Sequence, residues 1–291
     1  MRGDPVFPGS VFHHGFLLAI VAGGAVLDSR SHWAGNTHSR VPDTVFPEAS
    51  RDASISGLAH WLCVTINKWS PHDPSTSLPQ VTPAAARALL TAYASARDEW
   101  LTRTVPTLDA QSIWLVGSLA TGTADDWSDL DLIVVEGTPA LAGSLLTIDL
   151  PANGPAGGGY LGAMYEVAGL PLWVDWYLWP RQAAIPREAR PLAGTGTQGP
   201  RDLSATLDHL GCGEPGPPPD PQAFALAMLP LAAKHLARGN LAAAAGMIAM
   251  LGGAVDDNNI ADALYDVLAQ VGGNHPAVSL VHRQLAVVSA L

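Results

Sequence analysis

Residues 111–136 read QSIWLVGSLATGTADDWSDLDLIVVE, and this stretch decides the expected fold. Two apolar runs typical of β-strands flank a turn at Gly117-Ser118, and the second run carries Asp129 and Asp131. Side chains of a strand alternate between its two faces, so both aspartates should project from one face. Neighbouring carboxylates repel each other unless a cation lies between them, and their hard oxygen ligands suit Mg²⁺. The stretch therefore predicts a metal site on a strand.

The turn before this strand is expected to bind phosphate. Gly117 has no side chain, so backbone N–H groups can approach an anion there, and the hydroxyl of Ser118 adds a further donor. Residues 119–128 separate the turn from Asp129. They are enough for a short helical turn and a loop that returns the second strand alongside the first.

These residues resemble the nucleotidyltransferase superfamily that includes DNA polymerase β and the aminoglycoside nucleotidyltransferases. The family pattern is an apolar residue and Gly-Ser, a spacer of about ten residues, and Asp-x-Asp within an apolar strand. Here it reads Val116-Gly117-Ser118 followed by Asp129-Leu130-Asp131. The family also has a third carboxylate on a later strand, and Asp175 in the run WVDWY is the candidate.

The resemblance implies both a fold and a reaction. We expect an α+β fold in which a small mixed β-sheet with flanking helices is followed by a C-terminal α-helical bundle. The implied reaction moves a nucleoside monophosphate, AMP from ATP in the expected case, to a hydroxyl of a small molecule such as an aminoglycoside-like antibiotic. Two Mg²⁺ ions would be held by Asp129, Asp131 and Asp175. Asp175 would either ligate the second ion or accept the proton of the acceptor hydroxyl.

A further nucleotide-binding residue is predicted near the C-terminus. Lys234 and Arg238 lie four residues apart, and therefore on one face of a helix. In the functional interpretation, Lys234 holds the triphosphate against the turn at Gly117 and Ser118. In the alternative, the two residues are a solvated basic pair.

Composition limits the partners of the chain. Its formal net charge of −11 argues against a nucleic-acid substrate, since phosphate backbones need a basic face. The negative charge suits a cationic small molecule, but it also suits an ordinary cytoplasmic protein. Cys63 and Cys212 have no metal-binding spacing and indicate a reducing compartment. The N-terminal apolar run, residues 16–27, is too short to span a membrane.

The chain is expected to divide into four parts. Residues 1–80 lack periodicity and are interpreted as an irregular N-terminal extension, or as an over-extended start with true initiation near Val81. The catalytic domain should occupy residues 81–180, a Pro- and Gly-rich linker residues 181–220, and a helical domain residues 221–291.

Periodicity and turn residues predict the elements within these parts. In the catalytic domain we expect a helix over 83–103 and strands over 112–116, 129–136, 160–168 and 171–179. A short helix is expected at 203–210 inside the linker. Four C-terminal helices are expected over 222–238, 241–251, 258–271 and 276–290, separated by Gly239-Asn240, Gly252-Gly253 and Gly272-Gly273.

Two other functions stay open at this point. A D-x-D glycosyltransferase would hold a metal and a nucleotide-sugar on the aspartates, but it has no role for Gly117-Ser118. A protein-modifying (AMPylating) relative, of the kind found in toxin–antitoxin pairs, would use the same site on a protein hydroxyl.

Overall fold

The computed structural model describes residues 81–255, 259–271 and 273–291, so the predicted N-terminal extension and its apolar run lie outside the described residues. The described residues form two compact units. The first comprises Tyr93–Tyr165 and Leu172–Pro217. The second comprises residues 81–92, Glu166–Pro171 and Pro218–Leu291.

A six-stranded mixed sheet is the main element of the first unit. Its strands lie in the order β3-β4-β5-β2-β1-β6. In chain order they are β1 (Ser112–Val116), β2 (Leu130–Val135), β3 (Leu146–Asp149), β4 (Gly159–Val167), β5 (Leu170–Trp179) and β6 (Arg190–Gly194). Strand β1 pairs antiparallel with β2 and β6, β3 pairs antiparallel with β4, and β2 pairs parallel with β5. Together with the helices described below, this sheet confirms the expected α+β fold.

Helix α1 (Pro83–Thr104) begins where the sequence predicts it. The backbone N–H of Ala85 donates to the hydroxyl of Thr82 over 3.2 Å, and Pro83 occupies the first helical position. Towards its end, Trp100 contacts Tyr165 and Trp176, with ring centroids 4.8 Å and 6.4 Å apart. This half of α1 therefore packs on the sheet face that carries Trp176.

The opposite face of the sheet carries the aspartates and a separate apolar core. By alternation, Asp131 shares this face with Ile133, and Asp175 shares it with Tyr177. Leu130 and Leu132 point the other way and are fully buried, as predicted. The core on the aspartate face consists of Trp114, Val116, Ile133, Val135, Tyr160, Tyr177, Trp179, Ile185, Ala189 and Leu207.

The segment predicted as a linker differs from the structure in two respects. Arg190–Gly194 is strand β6 and adds to the sheet beside β1. Ile185, Ala189 and Leu207 belong to the core on the aspartate face, and Leu207 lies in helix α3 (Leu203–Leu210), whose bounds match the prediction. Proline and glycine are dense here because the chain turns repeatedly over the sheet, and that composition resembles a linker.

The second unit contains the four predicted C-terminal helices. They are α4 (Pro221–Ala237), α5 (Leu241–Met250), α6 (Ile260–Val271) and α7 (Ala277–Ser289), each within two residues of its predicted bounds. Helix α4 packs against the other three. The amide of Gln284 donates to the carbonyl of Pro230 over 3.1 Å inside this bundle.

The remaining helical pieces are short. Helix α2 (Gly117–Thr121) follows β1, and two 3₁₀ turns occupy Val105–Thr107 and Pro151–Asn153. Over the described ranges, none of the helices combines the length and the apolar character needed to cross a bilayer.

The packing of residues 181–210 predicts a stability effect that a linker would not have. Leu207→Ala should lower the free energy of unfolding by about 2–5 kcal/mol, because it removes buried methyl groups and leaves a cavity. Urea denaturation measures the change. Leu241→Ala is the matched control, since Leu241 is exposed in α5. Equal, small effects of both substitutions would contradict the packing role of α3.

Candidate active site

Three neighbouring strands bring the turn and two of the predicted carboxylates together. Asp131 is the register partner of Asp175 in the parallel β2–β5 pair, and of Val116 in the antiparallel β1–β2 pair. Gly117 follows Val116 directly, so the Gly-Ser turn begins beside Asp131. Asp129 directly precedes β2, which begins at Leu130, one residue later than predicted.

The backbone at the turn requires glycine. Gly117 has a φ of +68°, a left-handed conformation that other residues adopt at a cost. A Cβ atom at this position would also overlap the carboxylate oxygen Oδ2 of Asp131. The missing side chain therefore leaves room for the Asp131 carboxylate to lie directly against the start of α2. Ser118 is the second residue of α2.

Asp175 is buried and held by two hydrogen bonds to one of its oxygens. Only 5% of the residue is exposed. The hydroxyl of Tyr160 and the indole N–H of Trp173, the latter at 2.7 Å, both donate to Oδ1. Burial raises the pKa of the Asp175 carboxyl from 3.8 to about 6; the bond from Tyr160 opposes this rise, and the charge of Asp129 adds to it.

The loop before Asp129 is fixed by a buried arginine. Arg97 of α1 is 4% exposed, and its Nη1 donates to the carbonyls of Ser128 at 3.0 Å and Asp125 at 3.3 Å. The side chain of Asp125 accepts from the N–H of Trp127 and from the hydroxyl of Ser128. Asp125 is thus a turn residue, as the sequence predicts. The position of Asp129 depends on this loop.

Buried tyrosines surround the carboxylates and stay protonated. Burial raises the pKa of Tyr93 well above its usual value, and the charge of Asp129 adds to the rise. The pKa of Tyr177 is raised in the same way by burial and by the charges of Asp175 and Asp131. The low polarity that raises these pKa values also favours a cation among the aspartates.

Lys234 lies in α4 of the second unit. Only 2% of it is exposed, so the alternative of a solvated basic pair does not hold for this residue. Its predicted role at the triphosphate stays a prediction.

The carboxylates of Asp129, Asp131 and Asp175 are suited to supply part of the coordination sphere of a divalent metal. Within the described ranges, no three carboxylate, histidine or cysteine side chains gather closely enough to form a metal site alone. Asp131 and Asp175 are adjacent, and Asp129 is near enough to raise the pKa of Asp175. These are hard oxygen donors, and phosphate oxygens of a bound nucleotide would supply further ligands, as is usual for Mg²⁺.

Comparison with protein families identifies the same region. A family model described as "Nucleotidyltransferase domain" matches residues 99–150, which include the Gly-Ser turn, Asp129 and Asp131. This match supports the resemblance to the nucleotidyltransferase superfamily, and it supports a nucleotidyltransferase enzyme. Domains of this family generally use a nucleoside triphosphate and divalent metal ions. Curated proteins gave no match. Asp175 lies beyond the matched residues of the nucleotidyltransferase domain.

Sequence reasoning missed Arg97 and Tyr160 as contributors to this site. Arg97 had a recognisable signal, because it lies four residues after Tyr93 and three before Trp100, within the apolar stripe of α1. A charged residue in such a stripe is expected to have an internal partner. Tyr160 had no comparable signal, since its bond to Asp175 depends on how β4 and β5 lie together.

The close approach of Gly117 to Asp131 gives the first prediction for this site. Gly117→Ala should reduce nucleotidyl transfer by at least about 100-fold, because the new methyl group displaces the Asp131 carboxylate. Steady-state kinetics measures the loss. Gly122→Ala is the matched control: Gly122 also has a left-handed φ, +74°, but open space around its Cβ position. Comparable losses in both variants would attribute the effect to backbone strain alone.

The raised pKa of Asp175 gives a pH-dependent prediction for the metal-free protein. The folded state binds this proton more tightly than the unfolded state, so the resulting stability is present below pH 4 and is lost as pH rises through about 6. Asp175→Asn retains an Oδ1 acceptor and removes the titration. Relative to wild type, its free energy of unfolding should therefore rise by up to about 3 kcal/mol between pH 4 and pH 8.

Chemical denaturation in the presence of a chelator, at several pH values, measures this difference. Asp208→Asn, at an exposed aspartate of α3, is the control and should follow the wild-type pH profile. Parallel profiles for wild type and Asp175→Asn would show that Asp175 is not buried in its charged form.

Proposed function

We propose that the protein transfers a nucleoside monophosphate, AMP from ATP in the expected case, to a hydroxyl of a small molecule. One observation carries the proposal: the Asp131–Asp175 pair lies beside the left-handed Gly117 turn, and this turn and Asp131 fall within the matched nucleotidyltransferase domain. A phosphate-binding turn next to paired carboxylates is what a metal-bound triphosphate requires.

The proposal assigns each site residue a role in the reaction. Backbone N–H groups at Gly117 and the hydroxyl of Ser118 bind phosphate oxygens of the nucleotide. Asp129, Asp131 and Asp175 hold one or two Mg²⁺ ions. Mg²⁺ held by these carboxylates would supply positive charge against the negative charge that develops on the pyrophosphate leaving group.

The proposal also specifies the chemical class of the acceptor. Tyr93 and Tyr177 keep the surroundings of the carboxylates neutral and apolar, so an acceptor hydroxyl would lose its proton to a carboxylate rather than to a tyrosinate. The net charge of −11 favours a cationic acceptor, such as a polyamine sugar of the aminoglycoside type. A cytoplasmic location follows from the ATP co-substrate and from the use of only two cysteines.

The assay that tests the proposal separates it from both alternatives. Purified protein is incubated with Mg²⁺, α-labelled nucleoside triphosphates and a panel of aminoglycosides, other polyols and candidate proteins. We expect pyrophosphate release and a labelled small molecule. Label on a protein would instead establish a protein-modifying enzyme, and nucleoside diphosphate release from a nucleotide-sugar would establish a glycosyltransferase.

Asp131→Asn should lower the transfer rate by about 100-fold or more, because it removes a metal-binding charge beside Asp175. The substitution preserves side-chain size, and circular dichroism should show an unchanged fold. Asp126→Asn, at an exposed aspartate of the preceding loop, is the matched control and should retain wild-type turnover. Near-normal turnover of Asp131→Asn at saturating Mg²⁺ would remove Asp131 from the metal site.

A further inference from the structure

We infer that Tyr160 and Trp173 are positioning residues that hold Asp175 by one oxygen, Oδ1, and so present Oδ2 alone to the metal. The inference rests on the proposed function, since it assigns the way in which Asp175 would bind the ion. It makes Asp175 a monodentate metal ligand whose direction is fixed before any ion arrives.

Both hydrogen bonds converge on the same atom. The Tyr160 hydroxyl and the Trp173 indole N–H donate to Oδ1, and all three side chains are buried. Two bonds to one oxygen fix the rotation of the carboxylate about its last torsion, because a turn of the group would break both. Asp131, the register partner of Asp175 on β2, is a further hydrogen-bonding neighbour of this carboxyl group.

The two donors are themselves rigid. The ring of Tyr160 packs edge-on against Tyr177, with centroids 5.4 Å apart, inside the core on the aspartate face. The indole of Trp173 lies over Gly162, where a Cβ atom would overlap its six-membered ring. Gly162 therefore provides the space that lets Trp173 reach Asp175. Neither donor can follow the carboxylate if it moves.

Fixing one oxygen has a chemical consequence. A carboxylate that binds a metal with both oxygens would have to release Tyr160 and Trp173, and it would leave two buried donors without partners. Donors to the outer oxygen also keep the ligand oriented, as groups behind metal ligands commonly do. The geometry thus favours a ligand role for Asp175 over that of a mobile base.

The test measures metal binding separately from turnover. Mn²⁺ is titrated into the complexes of wild type, Tyr160→Phe, Trp173→Phe and Asp175→Asn with a non-hydrolysable nucleoside triphosphate analogue, and free Mn²⁺ is counted by electron paramagnetic resonance. Tyr160→Phe and Trp173→Phe each remove one donor and keep an aromatic ring. We expect each to weaken Mn²⁺ binding by about 10–100-fold, and to lower kcat with little change in the KM for the nucleotide.

Tyr165→Phe is the matched control. The hydroxyl of Tyr165 donates to the carbonyl of Ala140 over 2.6 Å, away from Asp175, so its loss removes a comparable hydrogen bond without touching the carboxylate. Thermal unfolding should fall similarly in Tyr160→Phe and Tyr165→Phe, whereas Mn²⁺ affinity should fall only in the former.

The outcomes separate this inference from the proposed function. If Asp175→Asn loses Mn²⁺ binding while both donor variants bind like wild type, the positioning role is wrong and the metal assignment stands. If Asp175→Asn binds Mn²⁺ as tightly as wild type, Asp175 is not a ligand and both assignments fail.

Discussion

The parallel pairing of β2 with β5 is the constraint on which the site depends. It places Asp131 and Asp175 side by side on one face, in a region of low polarity where like charges repel strongly. Other features of the site accommodate this pair. Gly117 has no side chain that would overlap Asp131. Arg97 donates a hydrogen bond to the loop that leads to Asp129. Tyr160 and Trp173 donate hydrogen bonds to Asp175. A cation bound between the carboxylates would remove the repulsion, and binding of that cation would then stabilise the folded state.

Much of the fold follows from local sequence pattern. The run SIWLV, the capped start of α1 and the glycine-punctuated C-terminal helices each carry their own periodicity, and the structure agrees with them within about two residues. The Gly-Ser and Asp-x-Asp elements were recognisable because their spacing is local. Asp175 was assigned through family resemblance, since nothing local relates β5 to β2. The parallel register that joins them is a tertiary property.

The parts that sequence reasoning missed depend on long-range packing. Residues 181–217 are rich in proline and glycine, and composition cannot distinguish a connector from a chain that folds over a sheet. Ile185 and Leu207 are buried only because the aspartate face leaves apolar surface uncovered around Trp114 and Ile133. Tyr160 was likewise an unremarkable strand residue until the hairpin of β4 and β5 brought its hydroxyl to Asp175.

The indole of Trp173 has a spectroscopic consequence. Its N–H donates directly to a carboxylate whose charge changes with protonation and with an arriving ion, and indole emission is sensitive to nearby charge. The candidate site thus contains an intrinsic fluorophore whose N–H donates to Asp175. Ligand occupancy can be followed in the unlabelled enzyme, by comparing its emission with that of a chain in which Trp173 alone is replaced.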